Sequence, residues 1–276
     1  MTPKRRTLLT AAAATTLGAP IALAQQRRLF DSHFHIIDPR FPIVPNQGYT
    51  PPTFTLDDYL ALARPLGVVA GAVVSGSFQA NDQTYLMDTL SRLGPGWVGV
   101  TQLPADVLDA GIARLDRIGV RAVRFNVLRG RVDGVDDIVA LAIRAHAVAG
   151  WHAEIYADAA ALKPHVAKLA KLPQLCIDHL GMTEAGVPVV LDLVDAGCKV
   201  KATGFGRVEL DVPRTLEAIA RKSATALVFG TDMPSTRARR PFEPSDIDLI
   251  ERTLGVALAA KVFWDNPRAL YRIRTG

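Results

Sequence analysis

From residue 28 onward the chain alternates short apolar runs with amphipathic stretches of helical period. Apolar runs at Leu29–Ile36, Val68–Val74, Trp97–Thr101, Val120–Asn126, Trp151–Tyr156, Gln174–His179, Cys198–Thr203 and Ala226–Thr231 predict eight strands. Between them, Leu56–Ala63, Gln83–Leu93, Val107–Ile118, Asp136–Val148, Asp158–Leu172, Val187–Ala196 and Val212–Lys222 carry the helical pattern, many ending at glycine or proline. The strands are rich in Val, Ile and Ala at most positions, as expected when structure covers both faces of a parallel sheet. Eight strand–helix units in about 250 residues fit a single-domain α/β fold, the (β/α)8 or TIM barrel. The competing architecture is a doubly wound open sheet, but no Gly-x-Gly-x-x-Gly follows the first strand.

A barrel keeps its chemistry at the C-terminal ends of its strands, and there the pattern turns from apolar to polar. Strand one reads Phe30-Asp31-Ser32-His33-Phe34-His35. Alternation predicts that Asp31, His33 and His35 face one side and Phe30, Ser32, Phe34 and Ile36 the other. Strand four ends in Arg124-Phe125-Asn126, strand five in Glu154-Ile155-Tyr156, strand six in Ile177-Asp178-His179 and strand eight in Gly230-Thr231-Asp232; Gly204-Phe205-Gly206-Arg207 follows strand seven. Unpaired polar groups do nothing for stability at a barrel mouth, so an aligned set points to function. His146 and His165 fall on helical stretches and His152 near the start of its strand, so these three read as surface or structural.

Ahead of the first strand, Lys4-Arg5-Arg6, an Ala-rich apolar run to Ile21 and Ala22-Leu23-Ala24 have the form of an export signal over residues 1–24. The Arg5-Arg6 pair favours the twin-arginine type, and the expected location is periplasmic. Removing that segment lowers the formal charge from +5 to +2, since it holds Lys4, Arg5 and Arg6 and no acid. So weak a balance, with no basic cluster interleaved with aromatics, gives no case for a nucleic-acid partner. No apolar run is long enough to predict a membrane span once the signal is gone. At 49% hydrophobic and 21% charged residues, the chain has an ordinary globular composition. Cys176 and Cys198 are too few for a disulfide framework and are expected to be buried free thiols.

Asp31-Ser32-His33-Phe34-His35, Ile177-Asp178-His179-Leu180-Gly181, Gly230-Thr231-Asp232-Met233-Pro234 and the closing Asp265-Asn266-Pro267-Arg268-Ala269-Leu270-Tyr271 together resemble the amidohydrolase superfamily. The resemblance is to its amidohydrolase-2 branch, which includes 2-pyrone-4,6-dicarboxylate hydrolase and related lactonases, and it runs from about residue 28 to the end. It implies a hydrolase in which Asp232, His33, His35 and His179 carry the reaction. It further implies that Arg124, Arg207, Tyr156, Tyr49, Ser75 and Ser77 hold a carboxylated small-molecule lactone, with Lys201 also matching the pattern. Binuclear members place a lysine after strand four and a histidine on strand five; Arg124 and Tyr156 stand there instead, so a two-metal site is not expected. Metal-free catalysis is favoured, and the alternative is one zinc on His33, His35, His179 and Asp232, in a lactonase, amidase or decarboxylase. Ser235 stands where the branch often has histidine, a departure that bears on the substrate.

Asp232 is the expected general base, because Asp31 and Glu154 lie deeper on their strands, Asp178 faces away by alternation and Asp38 is out on a loop. The histidines would polarise the ring carbonyl. A guanidinium suits bidentate carboxylate capture, so Arg124, which has no acidic neighbour in sequence, and Arg207, which has Glu209 nearby, are read as substrate hands. Arg129 and Arg131 on the loop after strand four admit either reading, and Arg237, Arg239 and Arg240 are read as solvated loop charges. A binding protein that keeps the barrel without chemistry is the rival from another class. Such proteins usually need two lobes and a hinge, and one continuous eight-unit pattern supplies neither.

Overall fold

The computed structural model describes residues 27–129 and 134–273. Residues 1–24, expected to be an export signal, and Arg131 lie outside the described residues. Eight parallel strands follow one another in order: β1 Leu29–Phe34, β2 Val68–Val74, β3 Trp97–Thr101, β4 Val120–Asn126, β5 His152–Tyr156, β6 Leu175–Ile177, β7 Lys199–Ala202 and β8 Leu227–Phe229. Helices α1 Leu56–Ala63, α2 Thr84–Leu93, α3 Asp109–Arg117, α4 Val135–Ala149, α6 Val187–Asp195 and α7 Val212–Lys222 form the outer layer. The expected helix over Asp158–Leu172 is instead a run of 3-10 turns, Ala159–His165, and the single turn α5 Val166–Leu169; Pro164, near the end of the first, removes a backbone donor. Past β8 the chain adds α8 Pro244–Leu254, α9 Val256–Ala260 and α10 Asn266–Leu270. Among the described residues no helix is long and apolar enough to cross a membrane.

The barrel closes between β8 and β1 without a regular ladder. Asp232 N donates to the His33 carbonyl (2.6 Å), His35 N donates to that of Met233 (2.8 Å), and the Asp31 carboxylate accepts from the Thr231 amide (2.8 Å) and hydroxyl (2.7 Å). Residue 230 has to be glycine for this approach, since a Cβ there would lie 2.8 Å from the His33 nitrogen.

Two residue sets separate across the strands. Val123, Phe125, Ile155, Ile177, Val200 and Ala202 pack outward with the helices, while Phe30, Ala72, Val100, Ala122, Cys176 and Val228 form a second, inner cluster. Tyr271, just after α10, joins that inner cluster and stacks on Phe30 (ring centroids 5.4 Å apart), so the closing motif seals the barrel floor. Cys176 and Cys198 are free and buried, as expected.

Strand one departs from simple alternation. Its register against β2 advances three residues from Asp31 to Phe34 while β2 advances two, from Gly71 to Val73, so one extra residue is bulged into β1. Asp31 therefore turns away from His33 and His35, toward Tyr59 on α1, whose hydroxyl donates to it at 3.0 Å. The expectation that all three share a face is corrected by the bulge. Burial pushes Asp31 up to about 6, although four donors converge on it.

Candidate active site at the barrel mouth

Inward-facing residues one turn of the pleat above the apolar floor are charged and fully buried. Lys201, from β7, contacts the Glu154 carboxylate, Asp178 Oδ1 (3.2 Å) and His33 Nδ1 (3.0 Å). Glu154 also accepts from His152 (3.1 Å) and the Tyr271 hydroxyl (2.7 Å), which fixes it to the floor. Burial works against the Lys201 ammonium, yet Asp178 and Glu154 outweigh it and hold the amine above the usual lysine range. Asp178 likewise sits well below the usual carboxylate range, because Lys201 and Arg124 overcome the effect of its burial.

Two expectations change here. Asp178 does not face away; β6 is only Leu175–Ile177, and Asp178 follows Cys176 into the barrel, beside His33. His179 then enters from the next turn, with φ +51°, rather than from strand alternation. Arg124 is not free for substrate either: its Nε and Nη2 both lie 2.9 Å from Asp178, and its Nη1 donates to the Ser75 carbonyl (3.0 Å).

Above this layer, Asp232 is held by Arg207, whose Nε donates to Oδ2 at 2.8 Å and whose Nη2 donates to the same oxygen. The other oxygen, Oδ1, is buried and makes no hydrogen bond. Facing it are three imidazole Nε2 atoms, those of His33 and His35 at 3.8 Å and that of His179 at 4.0 Å. Burial lifts the Asp232 carboxyl above its usual range against the pull of Arg207. All three imidazoles are held neutral. Burial and then Arg124 bring His35 to about 3, burial and Lys201 push His33 well down, and burial and Arg207 do the same to His179. His35 Nδ1 bonds the Val74 carbonyl (2.7 Å), which can only accept, so its Nε2 presents a lone pair. The His179 ring rests on Gly204, where a Cβ would come within 2.5 Å of Nδ1.

A cleft enclosing about 380 Å³ of space, its opening included, lies over this group. Of the residues expected at the site, His35, His179, Asp232, Arg124, Arg207, Tyr156, Tyr49 and Ser77 line it. His33 is fully buried and does not wall the cleft, and Ser75 turns its hydroxyl to Tyr85 (2.7 Å). Arg237 was read as a solvated charge, but it lines the cleft with Arg129 and stacks over the Tyr49 ring at 4.5 Å. Arg239 and Arg240 do pair on the surface, with Glu209 and Asp246. Neither Arg129 nor Arg237 has a carboxylate partner among the described residues. From the sequence, Lys201 is expected only as a match to the family pattern and Asp178 is expected to face away; the signals for their buried pairing are a lysine inside an apolar strand and an acid one residue before a strand-end histidine.

Among the described residues, two groups of buried side chains bring metal-ligating atoms within 4.8 Å of one another: His33, His35 and Asp232, and His33, Asp178 and His179. The amidohydrolase pattern matches residues 30–273. The chain belongs to the amidohydrolase family. It is 29% identical to a 4-sulfomuconolactone hydrolase of Rhizobium radiobacter over 92% of this chain and 93% of that one. It is 27% identical to a 2-pyrone-4,6-dicarboxylate hydrolase of Comamonas testosteroni, over 87% and 89% respectively. Among solved structures, a ligand-free Agrobacterium tumefaciens protein superposes with a TM-score of 0.79 at 23% identity, covering 91% of this chain and 97% of its own, which supports the shared barrel.

Proposed function

We propose that this amidohydrolase opens a carboxylate-bearing lactone by attack of water on the ring carbonyl. The observation that carries the reading is the divided Asp232 carboxylate: one oxygen clamped by Arg207, the other buried, unpartnered and faced by three neutral imidazoles. A carboxylate so placed can take a proton from water, and His35 and His179, which line the cleft, can orient the water and the carbonyl. The carbonyl beside His179 becomes the oxyanion, which collapses as the ring oxygen leaves with the proton that Asp232 took from water. Arg129 and Arg237, beside Tyr49, are the cleft arginines whose charge no carboxylate of the described residues meets, Arg237 donating only to the Asn46 carbonyl and Gln47 Oε1, whereas Arg124 and Arg207 are committed to Asp178 and Asp232. Relatives whose names specify lactone hydrolysis support the same reaction class.

The second reading, one zinc on His33, His35, His179 and Asp232, draws on the clustering of those atoms. Their positions suit an ion and their surroundings do not: Lys201, Arg124 and Arg207 already present three cations to the same cluster, and no step of the proposed reaction passes through a metal. The twin-arginine export signal over residues 1–24, and with it a periplasmic location, rests on the sequence pattern alone. Acid release from a panel of lactones with and without carboxylates tests the function. Turnover confined to carboxylated lactones and lost in Asp232→Asn supports the reading, whereas equal turnover of uncharged lactones overturns the substrate class.

A further inference from the structure

The structure assigns Lys201 as the positioning residue that fixes the proton of His33 on Nε2, so that this ring faces the Asp232 base as a hydrogen-bond donor and not as a metal ligand. An ammonium has three donors and no acceptor. Lys201 Nζ has three partners, the Glu154 carboxylate, Asp178 Oδ1 at 3.2 Å and His33 Nδ1 at 3.0 Å, and each must accept. A neutral imidazole that accepts at Nδ1 carries its hydrogen at Nε2. That Nε2 is buried, has no hydrogen-bond partner, and lies 3.8 Å from the equally unpartnered Asp232 Oδ1. Among the described residues the other group near His33 Nδ1 is Asp178 Oδ1, at 3.5 Å, which would draw the hydrogen to Nδ1 and leave Nε2 with a lone pair. Lys201 lies nearer to Nδ1 and ion-pairs with that same oxygen, so it decides between the two tautomers.

The two outcomes differ in chemistry. With the hydrogen on Nε2, His33 stabilises the ionised base from behind, out of contact with the cleft, while His35, whose Nδ1 bonds Val74, offers its lone pair to water. With the hydrogen on Nδ1, the Asp178–His33 pair would be the carboxylate–imidazole arrangement that typically supports a bound metal. Lys201 therefore separates a proton-transfer site from a metal site built of the same side chains.

Histidine 15N NMR on the full metal-free chain, with His33 assigned through His33→Gln, reads the tautomer directly and needs no substrate. A hydrogen-bearing Nε2 and a bare Nδ1 on His33 are expected; the reverse overturns the assignment, whatever the protein hydrolyses. Lys201→Met should move the His33 hydrogen to Nδ1, tighten calorimetric zinc binding at least tenfold, and lower kcat on a carboxylated lactone far more than it changes KM. A folded Lys201→Met that keeps the wild-type tautomer and zinc affinity also overturns it. Should that variant not fold, the wild-type spectrum decides alone. The activity arm rests on the lactonase reading and the spectral and zinc arms do not, so a failure of one is distinguishable from a failure of the other.

Discussion

The charged layer inside the barrel and the mouth directly above it are made of the same residue types and differ in how their buried charges are compensated. Below, hydrogen bonds and ion pairs among Glu154, Lys201, Asp178 and Arg124 connect the floor tyrosine, Tyr271, to the Ser75 carbonyl, and Asp178 Oδ1, which makes no hydrogen bond, is compensated by the Lys201 ammonium at 3.2 Å. Above, Asp232 Oδ1 and His33 Nε2 are buried and make no hydrogen bond, and Asp232 and His179 hold left-handed φ values of +61° and +51°. Buried polar atoms cost free energy when unpaired, so such gaps persist where a reactant supplies the missing partner. The lower layer is scaffold and the upper one is chemistry. The contrast also explains why the arginines divide: Arg124 is neutralised by Asp178 in the lower layer, while Arg237 at the rim meets no carboxylate among the described residues and is proposed to meet that of the substrate.

The sharpest way to break this comparison is to exchange one atom in each layer. Asp232→Asn removes the base and leaves the lower layer intact, so kcat on a carboxylated lactone should fall about a hundredfold or more; it also breaks the buried Arg207 pair, so kcat and not melting marks it out. Asp178→Asn does the reverse. It leaves Lys201 and Arg124 facing an uncharged amide in a dry interior, and urea unfolding should show a loss of about 3–5 kcal/mol. Arg124→Met should behave like Asp178→Asn in unfolding, not like a variant altered only in KM. If either scaffold variant keeps wild-type stability, the division between layers fails. The smallest effect is expected at the rim: Arg237→Met should raise KM for a carboxylated lactone about tenfold with kcat nearly unchanged, the loss of one charge-assisted contact.

Much of this arrangement is written in the sequence, because period and alternation survive folding in a barrel. All eight strands lie within the predicted runs or close to their ends, and strand-end residues such as Tyr156 and Asp232 do reach the cleft. What alternation could not reveal arises where the backbone leaves the ideal strand. The bulge in β1 turns Asp31 out to Tyr59, and the early end of β6 turns Asp178 in beside His33. Pairing over long sequence separation was equally hidden: Arg124 finds its acid 54 residues away, and Lys201 meets a histidine 168 residues away. Arg237 looked like one of three neighbouring surface charges until its ring partner, Tyr49, came into view from the other end of the chain.

The account rests on one ionised carboxylate working among imidazoles that stay neutral, and the pH dependence of kcat/KM on a carboxylated lactone tests that most directly. A base acts only when ionised, so activity should be full above the pKa of Asp232 and fall as pH drops through it. Burial lifts that carboxyl, which places the limb above the roughly 3.9 of a free aspartate. His35 is brought to about 3, and His33 and His179 are pushed well down, so none of the three should add a limb near the roughly 6.5 of free imidazole. A single acid limb, absent from the residual activity of Asp232→Asn, is the predicted result. A limb at the imidazole value that persists in Asp232→Asn would contradict the account and make a histidine the base.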